Sequence, residues 1–287
     1  MEIYETKNKI LEVWAAARII VQKYGHTRKF AKHLVALAIR QIENFNDVKL
    51  VHFLMTDKIG RILGYKKTLH ESTFSKVRER SDPMMFQELI DWVIEDRFKG
   101  KQIYLVAQDS TDIPAYSNND KDARIGVRTI PKKRQYQNKE KIEFFYGYKI
   151  HTIVEVKSEL PISIIVEKAN RHDSKFFRPL LMNAKQWFNF GFESKYLADS
   201  AMDAAWIKDE LKENNMIPVI ASNGRRKFKS SVPKDKDYGK RWAVERFFSR
   251  LKEKFGLRNN RFIGIKKVKI YAFSCILVIL LVIKGTF

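Results

Sequence analysis

The sequence predicts an all-helical N-terminal domain, residues 1–95, followed by an α/β domain built on a mixed sheet, residues 96–287. Two observations predict this. Apolar residues recur at helical spacing up to about residue 96. Beyond it, short β-rich runs alternate with helical stretches. With 287 residues, 45% of them hydrophobic, the chain can bury one large core or two smaller ones.

In the helical part, ILEVWAAARIIVQKY, FAKHLVALAIRQI, VKLVHFLMTDKIGRIL and MMFQELIDWVI each repeat apolar residues three and four apart. Within it, DKIGRILGYKKTLHESTFSKVRER has the form of a short helix, a turn at Gly64, and a second helix opened by Thr68. Glu71, three residues on, completes a capping box. Residues 56–80 thus have a helix-turn-helix pattern. Its second helix is expected to expose Ser72, Ser75, Lys76, Arg78 and Arg80, either to DNA or as an ordinary packing pair.

After residue 96, KQIYLVAQ reads as a strand that stops at Asp109. FFYGYKIHTIVEVK and LPISIIVEKA read as two strands joined at Ser158 to Glu159, and the helix DSKFFRPLLMNAKQWF follows. The strand KYLAD ends at Asp199; then come a helix near DAAWIKDELKEN, the strand MIPVIAS, and a basic helix carrying Glu245. The order β-β-β-α-β-α-β-α makes a mixed sheet with helices on its faces. Ligands of such sheets gather at the carboxyl ends of strands, where Asp109 and Asp199 stand. The closing apolar run, Ile270 to Ile283, is too short to span a membrane. It reads as a buried helix with Cys275 as a core side chain.

Charge bounds the partner. Fifty-five Lys and Arg against thirty-three Asp and Glu give a net charge of +22, which favours polyanions and makes nucleic acid the default partner. No basic amphipathic tail stands apart to suggest a membrane surface. The single cysteine excludes an internal disulfide framework, and the N-terminus lacks the apolar core of a signal peptide. The expected location is the cytoplasm, in association with the nucleoid.

From Gly224 to Lys269 there are seventeen Lys or Arg against four Asp or Glu. In this stretch Tyr238, Arg241, Glu245 and Lys252 follow one another at steps of three, four and seven, which on a continuous helix puts all four on one face. Such a face is either a solvated surface of i,i+4 pairs or a carboxylate set among groups that grip a phosphate backbone. The basic surroundings favour the second. With Asp109 and Asp199 as its partners, Glu245 would supply hard oxygen ligands of the type Mg²⁺ prefers. Two such ions can activate an attacking oxygen and stabilise the leaving one.

The sequence resembles the DDE transposases of bacterial and archaeal insertion sequences. The resemblance rests on QDSTD at Asp109, YLADSAMD at Asp199, and the Y-x2-R-x3-E-x6-K pattern of Tyr238, Arg241, Glu245 and Lys252. FYGYKIHTIV and ANRHDSKF fit the same family, and the match covers about residues 100 to 287. It implies an RNase H-like core that cuts transposon ends and joins their 3′ hydroxyls to target DNA. It also implies Asp109, Asp199 and Glu245 as ligands of Mg²⁺ or Mn²⁺, two ions in all. Tyr238, Arg241 and Lys252 would bind the double-stranded terminal inverted repeats, in an end complex expected to be a homodimer. Only 45 residues separate Asp199 from Glu245, so a large β insertion before the glutamate is not expected.

Secondary candidates are Asp112, which strand alternation turns away from Asp109, and His172 and Asp173, the latter read more simply as a helix N-cap. The loop RTIPKKRQYQNKEK is either a DNA contact or a solvated connection. Two alternative functions remain. A transposase-derived DNA-binding protein would not need all three acids, and a plain metal-dependent nuclease would not join strands.

Overall fold

The computed structural model describes residues 7–66, 69–130, 141–223 and 231–283. Thr68 and most of the basic loop after Ile130 lie outside these residues. Helices α1 (Lys7–Lys23), α2 (Ala31–Ile42), α3 (Asp47–Thr56), α4 (Lys58–Ile62), α5 (Ser72–Arg80) and α6 (Pro83–Phe98) come first. Strands β1 (Ile103–Pro114), β2 (Arg124–Ile130), β3 (Lys141–Glu155) and β4 (Leu160–Lys168) follow. Then come α7 (Phe177–Trp187), β5 (Phe190–Ala198), α8 (Ala205–Glu213), β6 (Met216–Ile220), α9 (Trp242–Glu253) and α10 (Ile265–Val282). Backbone contacts divide the chain into two units. One comprises Met1–Arg97, Arg250–Asn259 and Lys266–Lys284; the other comprises Phe98–Ser249, Asn260–Ile265 and Gly285–Phe287. The first break falls close to the sequence boundary at 95, and two later stretches return to the helical unit.

In the helical unit, α1 buries Ile10, Val13, Ala17, Ile20 and Val21, a single apolar stripe. Asn46 opens α3 by accepting from the Lys49 N–H at 2.8 Å. Gly60 lies where α4 passes the end of α3, and a Cβ there would meet the Leu54 carbonyl oxygen at 1.8 Å. In α10, every residue from Ile270 to Leu281 is buried, Cys275 included, as expected of a closing helix. Arg97 donates to the carbonyl of Leu280, satisfying one of that helix's last acceptors. No helix among the described residues is long and apolar enough to cross a membrane.

The helix-turn-helix segment differs in detail from its sequence reading. The turn at Gly64 is present, with φ +82°. The second helix begins at Ser72 rather than Thr68, and His70 Nδ1 accepts from the Ser72 N–H at 3.2 Å. Arg78, expected at the surface, is buried. It shares the inward face of α5 with Phe74 and Val77, and both its terminal nitrogens donate to Asp47. Arg40 Nε donates to the same carboxylate at 3.0 Å. Ser75, Lys76 and Arg80 are exposed.

The other unit holds one six-stranded sheet in the order β2-β3-β1-β5-β6, with β4 also paired to β3. β3 is antiparallel to β1, β2 and β4, whereas β5 runs parallel to both β1 and β6. The mixed sheet is the expected one, laid out like the RNase H-like core the resemblance implies. Two details correct the sequence reading. β1 does not stop at Asp109 but runs to Pro114, because its polar continuation keeps pairing with β3 as far as Gly147. A further strand, β2, occupies Arg124–Ile130, in part of what reads as loop. The turn between β3 and β4 is where expected, with Glu159 at φ +56°.

Candidate active site

The last parallel pair between β1 and β5 is Ala107 with Leu197. Two residues further along the chain stand Asp109, still within β1, and Asp199, just past the end of β5, on the same side by strand alternation. Both carboxylates are fixed locally. Asp109 Oδ1 accepts from the Ser110 N–H at 2.7 Å, and Asp199 Oδ1 accepts from the Ala201 N–H at 2.9 Å, capping the 3₁₀ turn Ser200–Met202.

The third carboxylate arrives from α9. Tyr238 to Arg241 form a 3₁₀ turn and the α-helix begins only at Trp242, so the four-residue face is not one continuous α-helical stripe. That turn packs against β1 and β5. α9 buries Ala243, Val244, Phe247 and Leu251, which leaves Glu245 on its exposed side, in the first turn. Arg241 Nη1 donates to Asp109 Oδ2 at 3.0 Å and Arg241 Nη2 to Glu245 Oε1 at 2.6 Å. Lys252 stands seven residues beyond Glu245 on the same helix.

Electrostatics set these groups apart. Burial pushes Asp109 up to about 7; the negative charges of Asp199 and Asp173 add to the shift, while Arg241 and the Ser110 N–H oppose it. Asp199 is raised as well, first by burial and then by Asp173, against the pull of the Ala201 N–H, Arg241 and Lys149. Burial works against the charge of Arg241, yet Asp109, Glu245, Tyr238 and Asp199 together hold its proton more firmly than usual. Two carboxylates that resist ionising side by side, with a third at the rim, make a site that attracts cationic charge.

The donor chemistry fits a hard divalent cation, because the three side chains offer only anionic oxygens. The guanidinium of Arg241 holds the cationic place between Asp109 and Glu245. Among the described residues no group of three or more His, Cys, Asp or Glu is placed to hold an ion as it stands.

The secondary candidates separate. Asp112 accepts from Arg128 Nη1 at 3.0 Å, away from Asp109. The N-cap expected of Asp173 is made by His172, whose Nδ1 accepts from the Ser174 N–H. Asp173 instead takes Lys149 Nζ at 3.1 Å and lies 3.5 Å from His151 Nδ1. Lys149 and His151 escaped the sequence reading. Their signal was the polar alternation Lys149, His151 inside the otherwise apolar strand FYGYKIHTIV.

The profile of a family described as Transposase DDE domain matches residues 100–281. The chain belongs to that family. No curated protein sequence matches it. Two solved transposase structures are similar at 12% identity. One is a piggyBac transposase synaptic complex with hairpin DNA, at a TM-score of 0.39 over 71% of this chain and 44% of that one. The other is a Mos1 transposase paired-end complex with left transposon end, at 0.26 over 81% and 78%. This chain thus spans less than half the length of the piggyBac chain.

Proposed function

We propose that this DDE-family chain is a DNA transposase that cleaves transposon ends and transfers their 3′ hydroxyls to target DNA. The observation that carries the reading is the gathering of carboxylates from β1 and α9 on the Arg241 guanidinium, with Asp199 at the adjoining strand end. Asp109, Asp199 and Glu245 would hold Mg²⁺ or Mn²⁺, two ions in the full site. Bound there, the metal supplies Lewis-acid activation of the attacking and leaving oxygens. Arg241, which neutralises two of these carboxylates in the structure, would be free to hold a phosphate oxygen if they held metal. Its planar fork suits such an oxyanion.

Tyr238 and Lys252 share with Arg241 the task of gripping the terminal inverted repeat, and the working end complex is a homodimer on double-stranded DNA. Ser75, Lys76 and Arg80, exposed on α5, are the side chains of the helix-turn-helix segment available to read or hold that DNA. The test is to incubate the chain with a duplex carrying the inverted repeats that flank its gene, a supercoiled target and Mg²⁺. Joined products are expected. Nicking without joining would make it a nuclease, and binding without cutting a transposase-derived DNA-binding protein.

A further inference from the structure

We propose that the outward face of the β2–β3 ribbon is the surface through which two copies of this chain meet on DNA ends; this rests on the transposase reading above. Strands β1 and β4 pair with β3 only from Gly147 and Tyr148 onwards. Among the described residues, the stretch of β3 before Gly147 pairs with β2 alone, and β2 is the last strand of the sheet order. The two strands therefore run on past the sheet as a ribbon. Register and alternation put Ile125 and Val127 of β2 on one face with Ile142, Phe144 and Tyr146 of β3. Phe144 is 70% exposed, Ile125 63%, Ile142 61% and Val127 47%. The other face is closed: a Cβ on Gly126 would meet the Ala169 Cβ at 2.7 Å and the Phe145 ring at 2.8 Å. Arg128, on that side, is held by Asp112 and Glu143. An antiparallel sheet with one solvated face ordinarily turns its polar side chains outward. In this ribbon the outward set is apolar, and a two-stranded ribbon with such a face is marginal in water unless something covers it.

The chemistry of the face selects its partner. It carries no charged side chain, and the arginines of β2, Arg124 and Arg128, fall on the opposite face by alternation, so a phosphate backbone would find no counter-charge here. A two-fold axis lets an apolar patch of this kind pack on its own copy. Area limits how tightly. Four exposed apolar side chains make a patch on the order of 400 Å², about half of the ~800 Å² per partner that a stable interface buries. Each copy also carries a charge of +22, and like charge opposes association of free chains. Duplex phosphates remove that repulsion and hold two copies at high effective concentration. The face therefore suits a dimer that forms on DNA and separates off it.

The experiment uses the full chain and a duplex carrying the inverted repeats that flank its gene, in chelator so that nothing is cut. Cys275 is buried and is the single cysteine, so Val127→Cys supplies the one accessible thiol. With a short bis-maleimide it should give crosslinked dimer at least about 10-fold more with the duplex than without. Lys76→Cys, exposed on α5, controls for chance collisions. Phe144→Ser, with folding checked by circular dichroism, should weaken assembly of two chains on the duplex by about 10-fold in sedimentation while single-end affinity stays within about 2-fold. Crosslinking of Val127→Cys no greater than that of the control, or two-chain assembly unchanged in Phe144→Ser, would overturn the proposal. So would an equal loss of single-end binding, which would assign this face to DNA or to the fold. A dimer that depends on Phe144 but joins no ends once Mg²⁺ is added would keep this interface and sink the transposase reading.

Discussion

The two units treat partly buried charge in opposite ways. In the helical unit, Asp47 joins Arg40 and Arg78, so a carboxylate between three helices is neutralised on the spot, and Arg97 is spent on the last carbonyls of α10. In the sheet unit, Asp109 within β1 and Asp199 just past β5 lie near each other, with the Arg241 guanidinium on Asp109 and the further negative charge of Asp173 nearby. The first arrangement stabilises the fold. The second costs stability, a cost that the proposed function would explain by the binding of a cation and a phosphate backbone there.

The largest effect that could break this contrast is catalytic. Asp199→Asn should reduce cleavage of a labelled duplex end by on the order of 10³-fold or more while leaving DNA affinity nearly unchanged. In chelator, Asp109→Asn should raise the melting temperature. Asp109 has a folded value of about 7, above its unfolded one, so its penalty is present at alkaline pH and fades as pH falls towards 4. A lower melting temperature at pH about 8 would show that its charge is stabilising after all.

DNA affinity should drop by about 10³-fold between roughly 50 and 200 mM salt, as many Lys and Arg displace condensed counterions. Fluorescence anisotropy with a random duplex measures this. A flat dependence would return the basic excess between Gly224 and Lys269 to a solvated surface.

Next in size is the helical ion cluster. Asp47→Asn should destabilise the chain by about 2–3 kcal/mol in urea unfolding, because two arginines, one of them buried, lose the charge of the Asp47 carboxylate. A neutral result would erase the distinction between the units.

Why that cluster was hidden is instructive. Arg78 lies 31 residues from Asp47, and the helical spacing of α5 says that one face is apolar without saying which long-range acid awaits the arginine beside it. The sheet was more legible. Strand period placed β3, β4, β5 and β6, and the ends at Ala198 and Glu155 agree with turn signals in the sequence. β1 overran its reading because Asp109 to Pro114 are too polar to look like a strand, yet they pair with β3. β2 was missed since its apolar residues Ile125 and Val127 face solvent rather than a core. At the site, the residue types and spacing pointed to Asp109, Asp199, Glu245 and Arg241. That Arg241 would sit on a 3₁₀ turn between two of the acids depends on where α9 starts, which spacing does not set.

The smallest effect sharpens the comparison by testing an exception. Asp91, on α6 in the helical unit, is pushed up to about 6 by burial, with Glu88 adding and a hydrogen bond from Gln87 opposing. Its folded value exceeds the unfolded one, so its charge costs stability at neutral pH and costs nothing below about pH 4. Asp91→Asn should therefore stabilise by about 1–2 kcal/mol at pH about 7.5, with the gain vanishing as pH falls from 6 to about 4. Thermal unfolding across that range measures it, and a gain independent of pH would point to packing instead.

The central claim is that Glu245 belongs to a metal-holding carboxylate centre whose cationic place is kept by Arg241. The most direct measurement follows end binding and Mn²⁺-dependent cleavage separately on one labelled duplex for Glu245→Gln and Arg241→Ala. Glu245→Gln should bind the end as the unaltered chain does and cleave on the order of 10³-fold more slowly, whereas Arg241→Ala should form a weaker end complex. Undiminished cleavage by Glu245→Gln would contradict the account.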